Sequence, residues 1–251
     1  MPVTPRASIL VAVRDRERYL PLALDSALAQ TCPDFELLVW DDASSDRSAD
    51  IARAYAARDA RVRLVSTERR GLNGAMRALI EAAEAPALGF LDSDDLLERR
   101  AIEDTLAVLD EDPEVGLVYT DYVTIDVEGK VRGYGSRCKI PYSPERLLVD
   151  FMTFHFRLFR KSAYDATEGL DPARAWAPDY DLCLRLSEKV AFAHVPAPRY
   201  FYRIHDGMMS TARDLQAACA QRAAESALAR RGLDKELVVE PIATGHRLRP
   251  R

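Results

Sequence analysis

Between residues 8 and 91 the chain alternates between two periods. SILVAV (8–13), FELLVW (35–40), RVRLV (61–65) and ALGFL (87–91) are short apolar runs. Leu20, Leu24, Ala27 and Leu28, then Ile51, Ala52, Tyr55 and Ala56, then a stretch from Gly71-Leu72-Asn73-Gly74 to about Glu84, recur at helical spacing between them. Strands alternating with helices at this interval limit the fold more than any other feature. They predict the α/β class: a Rossmann-like, mainly parallel sheet with helices on both faces. In such a sheet the carboxyl ends of the strands share one edge, and ligands bind there.

Two of these runs stop on acids. FELLVW is followed by Asp41-Asp42-Ala43-Ser44-Ser45-Asp46, and LGFL by Asp92-Ser93-Asp94-Asp95. Two carboxylates about 4 Å apart repel by roughly 4 kcal/mol at an effective dielectric near 20, so the second block calls for a cation or a shared proton. Oxygen ligands from one short loop leave coordination positions open. That suits Mg²⁺ or Mn²⁺ shared with substrate phosphates rather than a closed Zn²⁺ or Ca²⁺ cage. The competing structural role is a cap: Asp92 or Asp94 at the start of a helix beginning near Leu96.

Composition removes other classes. A net charge of −5 leaves no Lys/Arg excess for nucleic acid. No signal-peptide pattern and no run of 18 apolar residues is present, so the expectation is a cytoplasmic chain without a transmembrane segment. The basic end GHRLRPR, otherwise expected to be disordered, is the one stretch suited to peripheral membrane contact. Cys32, Cys138, Cys183 and Cys219 form no CxxC pair and read as free thiols.

VAVRDRERYL, TCPDFELLVWDDASSD and GLNGAMRALIEAAEAPALGFLDSDD resemble, in order and spacing, the nucleotide-sugar-binding half of family 2 glycosyltransferases of GT-A fold. The resemblance covers residues 7–125 strongly and 150–210 more loosely. It implies a single GT-A type domain. Residues 1–125 would form the nucleotide-sugar half, 126–210 a smaller acceptor-binding and catalytic part, and 211–251 a C-terminal helix and tail. It also implies inverting, metal-dependent transfer from a nucleoside diphosphate sugar to a hydroxyl acceptor, whether a glycan, a lipid-linked glycan or a small molecule. Cell-surface polysaccharide and natural-product glycosylation are the settings it suggests.

By the same resemblance Val11, Ala12, Val13 and Arg14 would wrap base and ribose, and Asp42 would accept from the pyrimidine imino N–H. An ionised carboxylate only accepts, which favours UDP or dTDP. Asp92, Ser93 and Asp94 would contact the donor. So would Gly71 and Arg77, although a glycine at a helix start and an Arg on an outer helix face also have plain structural roles. Asp92, Asp94, Asp95 and His205 would hold Mn²⁺ or Mg²⁺. Asp179, in APDYDLCLRL, matches the catalytic base, with the helix dipole as its structural alternative. His155 and Arg203 would face the acceptor or the diphosphate, with packing among the aromatics of FMTFHFRLFR as the structural alternative for His155. Two departures stand out: Met76-Arg77 where the family often has Arg-Asn, and Pro178 where it often has a first acid.

The rest of the chain is less regular. Val123 to Val131 reads as a hairpin around Glu128-Gly129-Lys130, and Gly133 to Pro144 as a loop over the site. Asp181 is expected to pair with Arg185 at i+4. His194 reads as a satisfied core or edge residue, and His246 as a tail residue without a role. Two rival functions remain open: a phosphatase of the haloacid dehalogenase type, which also places DxD after an apolar strand, and a catalytically silent nucleotide-sugar-binding module. A dinucleotide dehydrogenase is disfavoured, since no GxGxxG follows the first run. The sugar, the acceptor and the oligomeric state are not encoded in any motif.

Overall fold

The computed structural model describes residues 4–171, 177–206, 213–242 and 245–251. Its first half follows the predicted alternation: β1 (Ala7–Val13), α1 (Leu20–Leu28), β2 (Phe35–Asp41), α2 (Ser48–Arg58), β3 (Val62–Ser66), α3 (Gly71–Ala82) and β4 (Ala87–Phe90). β1 lies between β2 and β4, and β3 flanks β2, all parallel. Alternate residues supply the two faces. Leu10, Leu38, Trp40 and Leu88 pack with α3 on one side, while Ile9, Val11, Leu37 and Val39 pack with α1 and α2 on the other. Each Leu or Ile buried in this way contributes about 1.5–3 kcal/mol.

The second half runs β5 (Leu96–Leu97), α4 (Ala101–Glu111), β6 (Val115–Ile125), β7 (Val131–Tyr134), β8 (Arg157–Arg160), α5 (Lys161–Asp165), α6 (Pro178–Ser187), β9 (Ala191–Arg203), α7 (Arg213–Arg230), β10 (Leu237–Ile242) and β11 (Gly245–Pro250). It extends the same sheet to the order β3-β2-β1-β4-β8-β6-β9-β5, with β7 paired to β6. Here the pairing is mixed: β8 is antiparallel to both β4 and β6, and β6 is parallel to β9. The junction requires a glycine. A Cβ on Gly89 would stand 2.7 Å from the Phe156 ring and 3.0 Å from the Arg157 carbonyl oxygen, so β8 closes on β4 only where that atom is missing. Single α/β domain, curled sheet and helices on both faces are those of the GT-A fold.

Three expectations change. No helix starts near Leu96; Leu96–Leu97 is a short strand against Phe201 and Tyr200, and α4 begins only at Ala101. Asp92 and Asp94 therefore do not cap a helix. The basic end is not a loose tail, because β10 and β11 form a hairpin that buries Val239 and packs Leu237 and Leu248 on the core. His246, expected to do nothing, is buried, and its Nε2 lies 2.7 Å from the Leu148 carbonyl oxygen. The C-terminal helix is α7, whose Ala223, Ala224, Ala227 and Leu228 are buried on the core face of α6; the residues expected just before it, 207–212, lie outside the described ones. Among the described residues, no helix is long and apolar enough to cross a membrane.

Candidate active site

The acid block leaves β4 at the carboxyl edge of the sheet, and its residues meet different surroundings. The Asp92 backbone N–H donates to the Tyr200 hydroxyl at 3.2 Å, and His155 Nε2 stands 3.5 Å from Asp92 Oδ2. The Asp92 side chain is 51% exposed, with protein packed around the rest of it, the position of a carboxylate open to solvent at the edge of the sheet. Surrounding protein, then the charges of Asp94 and Asp179, push its pKa up to about 7 against the pull of Arg157 and Arg16. Ser93 is buried beside it.

Asp94 is closed off by two side chains, Arg16 and His205. Its Oδ2 accepts from Arg16 Nε at 2.9 Å and lies 3.0 Å from His205 Nε2. His205 in turn packs against Tyr19, with ring centroids 5.0 Å apart. Asp95 is buried, and its Oδ1 accepts from the Arg203 backbone N–H at 2.6 Å. Burial and the neighbouring Asp92 and Asp94 push the Asp95 carboxyl well above the usual range. Arg203 is almost fully enclosed. Its Nε donates to the Asp94 carbonyl at 2.7 Å, its Nη1 to the carbonyls of Asp126 and Val127 at 3.0 and 3.2 Å, and it lies over the Tyr19 ring. The structure thus gives Arg203 a different task from the acceptor or diphosphate contact expected of it: it ties the Asp94 carbonyl of the acid loop to the Asp126 and Val127 carbonyls that follow β6.

Across the cleft stands Asp179, in the first turn of α6. The turn begins at Ala177 in a left-handed conformation (φ 53°), with Pro178 supplying a helical φ at the first position. Asp179 Oδ2 accepts from Arg157 Nη2 at 3.3 Å, and Arg157 Nη1 donates to the Thr153 carbonyl at 2.8 Å. α6 is tied down by the expected i+4 pair, Arg185 Nε to Asp181 Oδ2 at 2.8 Å, and by Arg185 Nη1 to Glu168. His155 is buried and stacks on Tyr200, with centroids 4.7 Å apart. Burial, helped by Arg157 and Arg137, lowers its pKa well below the ordinary value, so it meets Asp92 as a neutral ring. Phe154 bridges His155 and Tyr202, and Phe151 bridges Phe154 and Tyr180, which makes one wall of this region aromatic.

The residues expected around the donor base come together near the ends of β1 and β2. The Val11 and Val13 side chains are buried in the core, so only their backbone could serve a ligand, whereas Ala12 is half-buried and Arg14 is exposed beside Asp15. Asp42 Oδ1 accepts from the backbone N–H of Arg70 and, at 2.9 Å, of Gly71. Gly71 adopts φ +69° with open space where a Cβ would stand, so conformation explains this glycine. Arg77 is half-buried on α3. His194 is satisfied as expected: its Nε2 lies 2.8 Å from Asp121 Oδ1 and its ring stacks on Tyr119. Sequence reasoning missed Arg16, Arg157 and Tyr200. An Arg between the aromatic and apolar residues of FHFRLF was the available signal for Arg157, because a buried guanidinium needs a counter-charge. For Arg16 it was RDRER placed after β1, at the edge that carries both acid blocks.

The sequence profile of glycosyl transferase family 2 matches residues 8–167, well over half of the chain. The chain belongs to glycosyl transferase family 2. This membership sets aside the haloacid dehalogenase reading. The transferase is 32% identical over 232 residues to the chondroitin synthase of Escherichia coli, a match that covers 92% of this chain and 34% of that one. It therefore spans about a third of that relative's length. Its fold is similar to S. aureus TarS 1-349 in complex with UDP-GlcNAc, with a TM-score of 0.73 and 17% identity over 89% of this chain and 66% of that one. It is also similar to the mannosyltransferase PcManGT of Pyrobaculum calidifontis in complex with GDP-Man and Mn²⁺, with a TM-score of 0.69 and 19% identity over 90% and 64% of the two chains.

The four residues expected to hold a metal do not form a cage. Among the described residues no three His, Cys, Asp or Glu side chains converge as metal ligands. Asp95 is turned inward to Arg203, and His205 is bonded to Asp94 rather than aimed beside it. What remains is Asp92, half-open and electrostatically crowded, with Asp94 next to it behind Arg16. One or two carboxylates completed by substrate phosphates are what Mg²⁺ or Mn²⁺ takes, and Asp92 and Asp94 are the residues here that could supply them.

Proposed function

We propose that the transferase moves a hexose from a nucleoside diphosphate sugar, with UDP or dTDP favoured, to a hydroxyl acceptor, with inversion and with the help of Mn²⁺ or Mg²⁺. The observation that carries this reading is the facing pair: Asp92, open to solvent at the edge of the sheet with its pKa raised to about 7, and Asp179, held by Arg157 on the α6 side. A carboxylate destabilised by its like-charged neighbours is relieved by a cation. A carboxylate fixed by a guanidinium is oriented to take a proton.

In this reading Asp92 and Asp94 would hold the ion, which would neutralise charge growing on the leaving diphosphate. Asp179 would accept the acceptor's hydroxyl proton as its oxygen bonds to the anomeric carbon and the bond from that carbon to the diphosphate oxygen breaks. Arg157 keeps Asp179 in place, and His155, 3.5 Å from Asp92, brings no charge that would compete with the ion. The wall of Phe151, Phe154 and Tyr202 suits the apolar face of a sugar ring, which makes a glycan the favoured acceptor. With Oδ1 of Asp42 engaged by the Arg70 and Gly71 amides, Oδ2 would accept from the uracil or thymine imino group. The UDP-GlcNAc bound by TarS supports the base, the Mn²⁺ bound by PcManGT supports the ion, and chondroitin synthase supports a glycan product.

The test is UDP release from a panel of UDP-hexoses with Mn²⁺ and oligosaccharide acceptors, run beside Asp179→Asn. Acceptor-dependent release by the natural chain and its loss in the variant, with UDP still bound, supports the reading. Tight donor binding with no turnover on any acceptor favours the silent binding module, and stabilisation by purine nucleotides alone refutes the role of Asp42.

A further inference from the structure

Asp94 Oδ2 is claimed twice, by Arg16 Nε at 2.9 Å and by His205 Nε2 at 3.0 Å. The two partners reach it from opposite ends of the chain, His205 from just after β9 and Arg16 from the loop between β1 and α1. Arg16 is placed there by its own backbone. Its N–H donates to Ser48 Oγ at 2.9 Å, and its Nη1 returns to the Asp15 carbonyl at 3.1 Å. The side chains of Arg16 and Asp94 are 22% and 17% exposed, so water screens their attraction only in part. A guanidinium therefore already stands on Asp94 Oδ2, and a divalent ion binding that oxygen would meet it within hydrogen-bonding distance, where two cations oppose each other.

We infer that Arg16 is a resident counter-ion that competes with the divalent metal for Asp94 and gives way only when a nucleoside diphosphate is present, its guanidinium then passing from the carboxylate to the diphosphate. This rests on the reading proposed above and adds an order of events to it. A guanidinium matches phosphate oxygens as well as carboxylate oxygens, in the same forked geometry, so the donor supplies the partner that Arg16 loses to the metal. Asp94 thereby has a cationic partner in both states: Arg16 at rest, and the metal when the donor is bound. Free metal without donor is held weakly, and metal and donor enter together.

The experiment follows free Mn²⁺ by electron paramagnetic resonance over the natural chain, Arg16→Gln and Arg16→Lys, without nucleotide and with UDP. Without nucleotide, Arg16→Gln is expected to bind Mn²⁺ at least tenfold more tightly than the natural chain. With UDP present that advantage disappears or reverses, because the variant has lost its diphosphate contact. Arg16→Lys keeps the charge without the fork and shows a smaller gain in the same direction, which preserves the test if Arg16→Gln melts early. A purely structural role for Arg16 would not reverse sign on adding UDP. Equal Mn²⁺ affinity of variant and natural chain without nucleotide overturns the inference while leaving the metal-and-donor reading standing, provided the natural chain takes up Mn²⁺ with UDP. If the natural chain takes up no Mn²⁺ even with UDP, both fall.

Discussion

The two acid blocks at the edge of the sheet have almost the same composition and opposite surroundings. In the first, backbone amides do the neutralising. Asp41 Oδ2 accepts from Ser44 N–H, Asp42 from Arg70 and Gly71 N–H, and Asp46 from Glu17 and Ser48 N–H. Burial raises the Asp46 pKa, but hydrogen bonds from Ser48 and Glu17 outweigh it and hold the carboxyl below its ordinary value. In the second block Asp92 and Asp95 are both pushed up, and the partners that hold the loop are the side chains of Arg16, His205 and Arg203. Acid count alone does not separate a turn from a site. The separation lies in the partners: backbone amides reach all three carboxylates of the first block, although Asp41 Oδ1 stays buried without one, whereas Asp92 has His155 Nε2 at 3.5 Å and like-charged neighbours.

That contrast can be broken in four places. Asp179→Asn removes the proposed base and should lower transfer by about 10²- to 10⁴-fold, read as acceptor-dependent UDP release, while UDP affinity stays within a factor of two or so of the natural chain. Arg203→Met deletes hydrogen bonds to three carbonyls, one in the second block (Asp94) and two in the turn after β6 (Asp126 and Val127). The loss should be about 3 kcal/mol, seen as a lower urea midpoint, together with weaker donor binding as the loop loosens. Asp42→Ala removes the acceptor of two amides in the first block and should cost about 1–2 kcal/mol by the same measurement.

The smallest expected effect is on Asp92 itself. A carboxyl whose folded pKa, about 7, exceeds its ordinary 3.8 binds its proton more tightly in the folded state. Its contribution to stability is complete below pH 4 and is lost as the pH rises to 7. Asp92→Asn should therefore leave the melting temperature unchanged near pH 4 and raise it near pH 8. Solvent screens this half-open side chain, so the gain should be about 1 kcal/mol, or roughly 2–4 °C. A variant that melts lower at pH 8 would mean that Asp92 is completed by the protein after all.

The first half of the fold was legible because each strand is a closed apolar run and each helix has its own period; nothing from elsewhere in the chain is needed to read it. The second half was not, for specific reasons. Leu96–Leu97 pairs with a strand more than a hundred residues away, so its local apolar pattern resembled a helix start. The GHRLRPR end looks solvated as a string, yet Leu248 packs on the core and His246 is satisfied by the Leu148 carbonyl, neither of which is visible from charge. At the site, the acids were readable because carboxylates crowded after an apolar run are costly wherever they lie. Their partners were harder to read: Arg16, Arg157 and the Arg203-to-His205 stretch reach the acids from three separate segments, and whether an arginine holds a loop, an acid or a ligand depends on contacts that spacing does not encode.

The most direct test of the account is calorimetric titration of UDP into the natural chain and into Asp92→Asn, each with and without Mn²⁺. The account predicts UDP binding at least tenfold tighter with Mn²⁺ in the natural chain, and no difference between the two conditions in the variant. UDP binding that ignores Mn²⁺ in the natural chain, or a variant that keeps the full metal dependence, would contradict it.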